Sequence, residues 1–222
     1  MSDATIKKPG ITIQKTYEDV ELFLSDRNNV NVGDRIRVPS FKVPATVIDG
    51  EKKMNFNEVK VDGEYATVYY KDGTSLHLMF DRALFQSAVD YNNTKSWNDT
   101  QLAKYLKGAF SVELAKVLPA TDCGLLRENN LWGKNARPFF KYGKNRVCFD
   151  NNKDVSVCYW LETPANASAA YFCRAFYNGD SSYGDASYAS SFVRPRFTIP
   201  ILDISQLCAE LYYEHTLKEV KK

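Results

Sequence analysis

Between Thr163 and Ser191 the chain contains no Lys, Glu, Gln, Met or Trp, although Lys and Glu are scattered through most of the remaining sequence. The stretch is built almost wholly of Ala, Ser, Tyr, Asn, Asp, Gly and Phe. Apolar, turn-bearing anchors bracket it: Tyr159-Trp160-Leu161-Glu162-Thr163-Pro164 before it and Val193-Arg194-Pro195-Arg196-Phe197 after it. Tyr159, Trp160, Leu161, Phe192, Val193 and Phe197 read as strand ends tied into a core, so the fold must hold an unusual segment at both ends. Surface loops ordinarily carry long charged side chains, which solvate at low cost. Replacing these with Tyr, Ser, Asn and Gly gives the composition of an antibody-like contact surface. Each tyrosine offers about 150–250 Å² of amphipathic area at low entropic cost, and Ser, Asn and Gly adapt their hydrogen bonding. Tyr171, Tyr177, Tyr183 and Tyr188 are the candidate contact residues. Thr163, Asn166, Ser168, Arg174, Asn178, Asp180, Ser182, Asp185, Ser187 and Ser190 complete the candidate surface, with Asn166, Asn178, Asp180 and Asp185 tuning its polarity. The same composition also describes irregular structure whose tyrosines pack on the body of the domain. Solvent accessibility of the four tyrosines separates the two readings.

At 222 residues the chain can bury a sizeable core as one large domain. A loose arm is expected over 1–15, the domain over 16–200 and a closing helix over 201–222. The net charge of +2, with basic residues no more clustered than Lys7-Lys8, Lys52-Lys53 and Lys221-Lys222, argues against nucleic acid. No stretch approaches the roughly 20 apolar residues of a membrane span, and the N-terminus lacks the apolar centre of a signal peptide, so folding in a cytosol is expected. Cys123, Cys148, Cys158, Cys173 and Cys208 show no C-x-x-C spacing and read as reduced, mostly buried thiols. The sequons at Asn92, Asn98 and Asn166 read as chance matches.

Along the chain, Thr16 is placed to cap a helix carrying Val20, Phe23 and Leu24 on one stripe. Strands are expected at 35–38 and 45–48. Asp62-Gly63 and Asp72-Gly73 then separate three strand-like runs, 57–61, 65–70 and 75–80, predicting an antiparallel meander. Ser96-Trp97-Asn98-Asp99 opens a helix bearing Leu102, Tyr105 and Leu106, with Gly108 placed to end it. A second helix runs from Ser111 to Leu118 before Pro119. Residues 121–157 are irregular and aromatic, with Trp132, Phe139, Phe140, Tyr142 and Phe149 available as support.

Several of these features occur together in a known group. Gly33-Asp34 before a strand, Tyr91-Asn92-Asn93-Thr94-Lys95-Ser96-Trp97 leading into Leu102 to Phe110, Tyr159-Trp160-Leu161 and Val193-Arg194-Pro195 resemble phage and gut-bacterial proteins of C-type-lectin-like fold. Some of those, and related proteins, are variable proteins of diversity-generating retroelements, which mutate adenines in a template copied into the gene. The resemblance covers roughly 33–199 and implies an α+β, C-type-lectin-like domain of antiparallel strands, two helices and a long irregular ligand-binding region. Adenine mutagenesis of Asn codons ending in a pyrimidine yields Ala, Ser, Tyr, Asp, Gly, Phe and others, but not Lys, Glu, Gln, Met or Trp. The gap at 163–191 has that shape. The chain departs from the group's usual ending at Glu162-Thr163, where Arg-Ser is usual, and at Phe192, where Gly is usual. Glu162 is outside the codon route, so the variable stretch begins after it. Trp160, Arg194 and Pro195 would act as scaffold, Arg194 either bonding carbonyls or a carboxylate beneath the site or lying on the surface.

An enzyme site does not assemble from the sequence. His77 falls in an expected strand and His215 in the closing helix, without partners for acid/base or metal chemistry. The paired cysteines used by oxidases of related fold are missing. Trp97-Asn98-Asp99 matches the calcium-binding tripeptide of sugar-binding C-type lectins but lies at a helix start, where capping accounts for it. Asp150 and Asp154 lack the spacing of a calcium loop. The expectation is a non-enzymatic binding protein without metal or cofactor, phage or prophage encoded. It would recognise a protein or glycan on a bacterial surface, from a virion tail or from the bacterial cytoplasm before assembly. Its terminal helix is available for homo-oligomerisation. The alternative is a structural virion or assembly subunit with an invariant loop.

Overall fold

The computed structural model describes residues 13–151, 154–166 and 170–201. Residues 1–12 of the arm expected over 1–15, Ser168, Cys208, His215 and the closing helix beyond Ile201 lie outside the described residues, and Gln14 and Lys15 bond the backbone of Gly33 and Arg35. The architecture is α+β, with many short strands and few helices.

β1 (Thr16–Tyr17) precedes α1 (Val20–Ser25). The expected cap at Thr16 is corrected. Thr16 pairs with Arg35 and accepts from its Nε at 3.0 Å, while Asp19 caps α1 by accepting the Leu22 N–H at 2.8 Å. Five three-residue strands follow: β2 (Arg35–Arg37), β3 (Phe41–Val43), β4 (Thr46–Ile48), β5 (Met54–Phe56) and β6 (Val59–Val61). β7 (Tyr65–Lys71) and β8 (Ser75–Phe80) form the hairpin that Asp72-Gly73 predicts. The meander fails at its first strand, because β6 pairs with β3 and β7 turns its other edge to β2. Gly63, at φ +69°, swings the chain out of one sheet and into another.

After β9 (Arg82–Ala83) and β10 (Phe85–Gln86), a single 3₁₀ turn spans Trp97–Asp99. Ser96 makes no side-chain cap. Thr100 caps α2 (Gln101–Tyr105) instead, accepting the Ala103 N–H at 3.2 Å. A wide π turn, Leu106–Phe110, runs without a break into α3 (Ser111–Ala115), so Gly108 does not end the helix. The reason is energetic: burying Leu102, Leu106, Phe110 and Leu114, at about 1.5–3 kcal/mol each, outweighs the roughly 1 kcal/mol cost of a mid-helix glycine.

The region expected to be irregular contains β11 (Thr121–Gly124), α4 (Glu128–Leu131), 3₁₀ turns at Pro138–Lys141 and Gly143–Arg146, β12 (Cys148–Asp150) and β13 (Ser156–Val157). Phe139 and Phe140 are buried there, whereas Tyr142 points to solvent and supports nothing. The chain closes with β14 (Tyr159–Asn166), β15 (Tyr171–Ala175), β16 (Ser181–Asp185), β17 (Phe192–Val193) and β18 (Arg196–Pro200).

The larger sheet has the order β1-β2-β7-β8-β18-β11, and the second has β10-β17-β14-β15-β16, with β16 at its edge. β14 and β15 lie between two apolar clusters. Trp160 and Phe172 face the larger one, with Phe80, Phe110 and Phe197. Their strand neighbours Tyr159, Leu161, Cys173 and Ala175 face a smaller one, with Phe139 and Phe140. The period-two alternation of a strand thus serves two cores at once.

Candidate ligand-binding face

Of the described residues in 163–191, those up to Asn166 extend β14, and 171–175 and 181–185 are the strands β15 and β16. β15 and β16 form a hairpin with continuous register from Tyr171↔Asp185 to Ala175↔Ser181. Its residues sort by type. Phe172, Cys173, Ala175, Gly179, Ala186 and Ser191 are buried, and Tyr171, Tyr177, Asn178, Asp180, Tyr183, Asp185, Ser187, Tyr188 and Ser190 are exposed. The four tyrosines are 36%, 51%, 66% and 54% exposed in chain order, which excludes the reading in which they pack inside. Tyr171 and Tyr183 meet edge to face, ring centroids 6.2 Å apart. Arg174 and Ser182 are half-buried. Asn166 is placed only by its backbone, opposite Tyr171.

Local polar chemistry fixes the turns. At the hairpin tip Gly179 adopts φ +88° and donates to Phe176 O at 2.9 Å, and Asn178 Nδ2 donates to Asp180 at 2.7 Å. Arg146 Nε donates to Gly179 O at 3.0 Å, tying the tip to the 3₁₀ turn beneath it. Asp185 accepts from both the backbone N–H and the hydroxyl of Ser187. These bonds, the hydroxyl first, hold its carboxyl below the usual range.

Arg174 lies across β16. Its Nη2 donates to Tyr183 O at 2.8 Å and its Nη1 to Ser191 Oγ at 3.0 Å, and its guanidinium carbon stands 5.4 Å from the Trp160 ring and 5.8 Å from the Tyr188 ring. Ala186 donates to Ala170 O, which directs the even-numbered residues of β16 toward β15 and leaves Ser181, Tyr183 and Asp185 on the open side. Two of those three outward carbonyls are occupied: Tyr183 O by Arg174, and Asp185 O by the Tyr188 N–H at 3.0 Å. Arg174, Tyr171, Tyr188, Asp185 and Ser190 line a depression of about 460 Å³, to which Cys158, Phe176, Gly184 and Ser191 also contribute. Those last four were missed by sequence reasoning; their proximity depends on the hairpin pairing.

The anchors are heavily bonded. Trp160 is fully buried, its indole N–H donating to Ser87 O at 2.8 Å. Arg194 is also fully buried and not a surface residue. It donates to Phe80 O at 2.8 Å and Asp81 O at 3.3 Å, and lies over the Tyr159 ring. Buried Pro195 accepts the Phe80 N–H at 3.0 Å. Glu162, also buried, pairs with Arg127 and Arg196. The Thr163 hydroxyl accepts the Glu128 N–H at 2.9 Å, at the start of α4. It borders a second hollow, of about 340 Å³, with Trp97, Arg127 and Pro164.

Cys123, Cys148, Cys158 and Cys173 carry no disulfide; Cys158 is half-buried and the other three are buried. Burial pushes the Cys148 thiol up to about 11 and, with help from Glu128, the Cys173 thiol up to about 12. His77 Nε2 lies 2.8 Å from Asp72 Oδ2. Asn98 accepts from Lys107 at 2.6 Å and Asp154 pairs with Arg82. Among the described residues no three His, Cys, Asp or Glu side chains converge as a metal-holding group, and no helix is long and apolar enough to cross a membrane. Compared with family models, curated proteins and solved structures, the chain matches none.

Proposed function

We propose that the chain is a non-enzymatic recognition protein, phage or prophage encoded, that displays a retroelement-diversified surface on a C-type-lectin-like scaffold. The single observation carrying this reading is the outward placement of Tyr171, Tyr177, Tyr183 and Tyr188 on a segment whose backbone is pinned by buried Phe172, Ala175 and Ala186. The return of β18 to the same six-stranded sheet that begins with β1, between β8 and β11, supports the lectin-like scaffold. The limit at Glu162 fits as well. The residue that the codon route cannot produce is a buried ion-pair anchor, and the exposed contact residues all follow it. The ligand is a protein or glycan on a bacterial surface, met by aromatic faces and short hydroxyl and carboxylate side chains.

The test compares the wild-type protein with a variant carrying serine at all four tyrosines, for binding to a panel of bacterial cells. Saturable binding by wild type and its loss in a variant of unchanged melting temperature is the expected result. A variant that binds like wild type overturns the reading. The gene gives an independent check: a near-repeat of the codons for 163–191, differing at adenines and lying beside a reverse transcriptase, is expected.

A further inference from the structure

A cavity of about 170 Å³ away from the tyrosine face is lined by Tyr69, Tyr70, His77, Asn130 and Arg137 together with a chain of charges, Asp122, Arg196, Glu162 and Arg127. The charges do not balance. Arg196 donates to the Asp122 carboxylate and to Leu125 O, and stands 3.4 Å from one Glu162 oxygen; Arg127 takes the other. Both carboxylates are thereby occupied by two arginines. Arg137 is a third, and among the described residues no acid and no side-chain hydrogen bond meets it. Its Nε is sealed from solvent without an acceptor.

Arg137 is nonetheless held in place. Its guanidinium carbon lies 3.6 Å from the Tyr70 ring centroid, its backbone N–H donates to Asn130 O at 2.8 Å, and its carbonyl accepts the Phe140 N–H at 2.9 Å. Two more donors line the cavity. Burial holds the Tyr69 hydroxyl protonated by pushing it up to about 12. Asn130 spends its side-chain oxygen on the Arg127 N–H at 3.0 Å, which leaves its amide NH₂ to donate. His77 is engaged with Asp72. A stacked, oriented guanidinium fork is the arrangement that recognises a planar oxyanion through two parallel hydrogen bonds.

We propose that this cavity binds a small monocarboxylate through Arg137, with Tyr69 and Asn130 as secondary donors. Among the side chains that line the cavity, the two carboxylates are taken by Arg127 and Arg196, which leaves Arg137 as the arginine available to a monoanion. The volume equals roughly five to six waters at about 30 Å³ each, room for a group of acetate or propionate size. The site is independent of the tyrosine surface and stands whether or not that surface binds a bacterial ligand.

The experiment adds sodium acetate to the ¹⁵N-labelled full-length protein, with sodium chloride and inorganic phosphate as parallel series at matched ionic strength. It follows the Arg137 Nε–H and Asn130 Nδ2 resonances. A saturating shift with acetate, absent with chloride, is expected. The apparent Kd, read at Asn130, rises about tenfold in Arg137→Lys, which keeps the charge but loses the fork, and several-fold in Tyr70→Leu, which removes the stacking partner. Linear drift with acetate matching that with chloride overturns the proposal. So does undiminished saturation in Arg137→Lys, or saturation by phosphate alone.

Discussion

Gly184 leaves the space that the Arg174 guanidinium occupies: a Cβ at position 184 would stand 2.8 Å from Arg174 Cζ and 2.9 Å from its Nε. The glycine is therefore required by the arginine and not by its own backbone. Gly184→Ala is expected to displace Arg174 from Tyr183 O and Ser191 Oγ, at about 1–2 kcal/mol, read by urea unfolding. In an Arg174→Ala background the same substitution should cost almost nothing. Equal costs in both backgrounds would refute the coupling.

Arg194 is the costliest polar side chain to remove. Arg194→Met leaves Phe80 O and Asp81 O without their donor and removes one of the two arginines whose charge favours the buried Asp81 carboxylate, which keeps Arg35 at 3.5 Å and the Thr67 hydroxyl. A loss of about 3–5 kcal/mol is expected, measured by chemical denaturation. A loss below about 1 kcal/mol would show the guanidinium to be dispensable.

Residues on the two strands of one hairpin should behave oppositely. Phe172→Ala, fully buried against Trp97, is expected to cost about 3–5 kcal/mol. Tyr183→Ala on the paired strand, two-thirds exposed, should stay within about 0.5 kcal/mol. Thermal unfolding of the two variants tests the contrast directly.

Asp72 titrates at about 2, below its ordinary 3.8, chiefly through the His77 hydrogen bond and then through Thr74. A depressed carboxyl stabilises the fold above its unfolded pKa, and the contribution is lost as pH falls from about 4 through about 2. Asp72→Asn should flatten that acid limb of the stability curve. Parallel curves for wild type and variant between pH 2 and 5 would remove Asp72 from the account.

Of the four described thiols, Cys158 alone is expected to react with a small disulfide reagent in the native protein, because the other three are buried with raised pKa values. Since Cys158 lines the depression beside Arg174, labelling it should also block ligand binding. Simultaneous labelling of Cys173 would contradict the described packing.

The sequence showed which tyrosines face outward better than it showed how the chain is wound. Turn chemistry located the β7–β8 hairpin, since Asp72 accepts from both the N–H and the hydroxyl of Thr74. It could not place β6, whose partner β3 is a three-residue strand between Pro39 and Pro44 with no periodicity to read. Gly108 looked like a stop because propensity is local, while the packing that carries the helix past it is not. Composition could not show that the Thr163 hydroxyl accepts from α4, 35 residues earlier in the chain. The outward tyrosines were legible because the charge-poor composition between two apolar anchors is a property of the segment itself.

The capped carbonyls of β16 bear on how copies of this protein can stand side by side. Open strand edges are usually defended by lysine, proline or a bulge, and an undefended one templates pairing with its neighbour. Ser181 to Asp185 contains neither lysine nor proline, and the diversification proposed here would never introduce lysine. Arg174 and the Tyr188 N–H supply the defence from within the fold, by occupying Tyr183 O and Asp185 O. For as long as Arg174 is kept, two of the three outward carbonyls of this edge are already spent and cannot accept from a neighbouring strand.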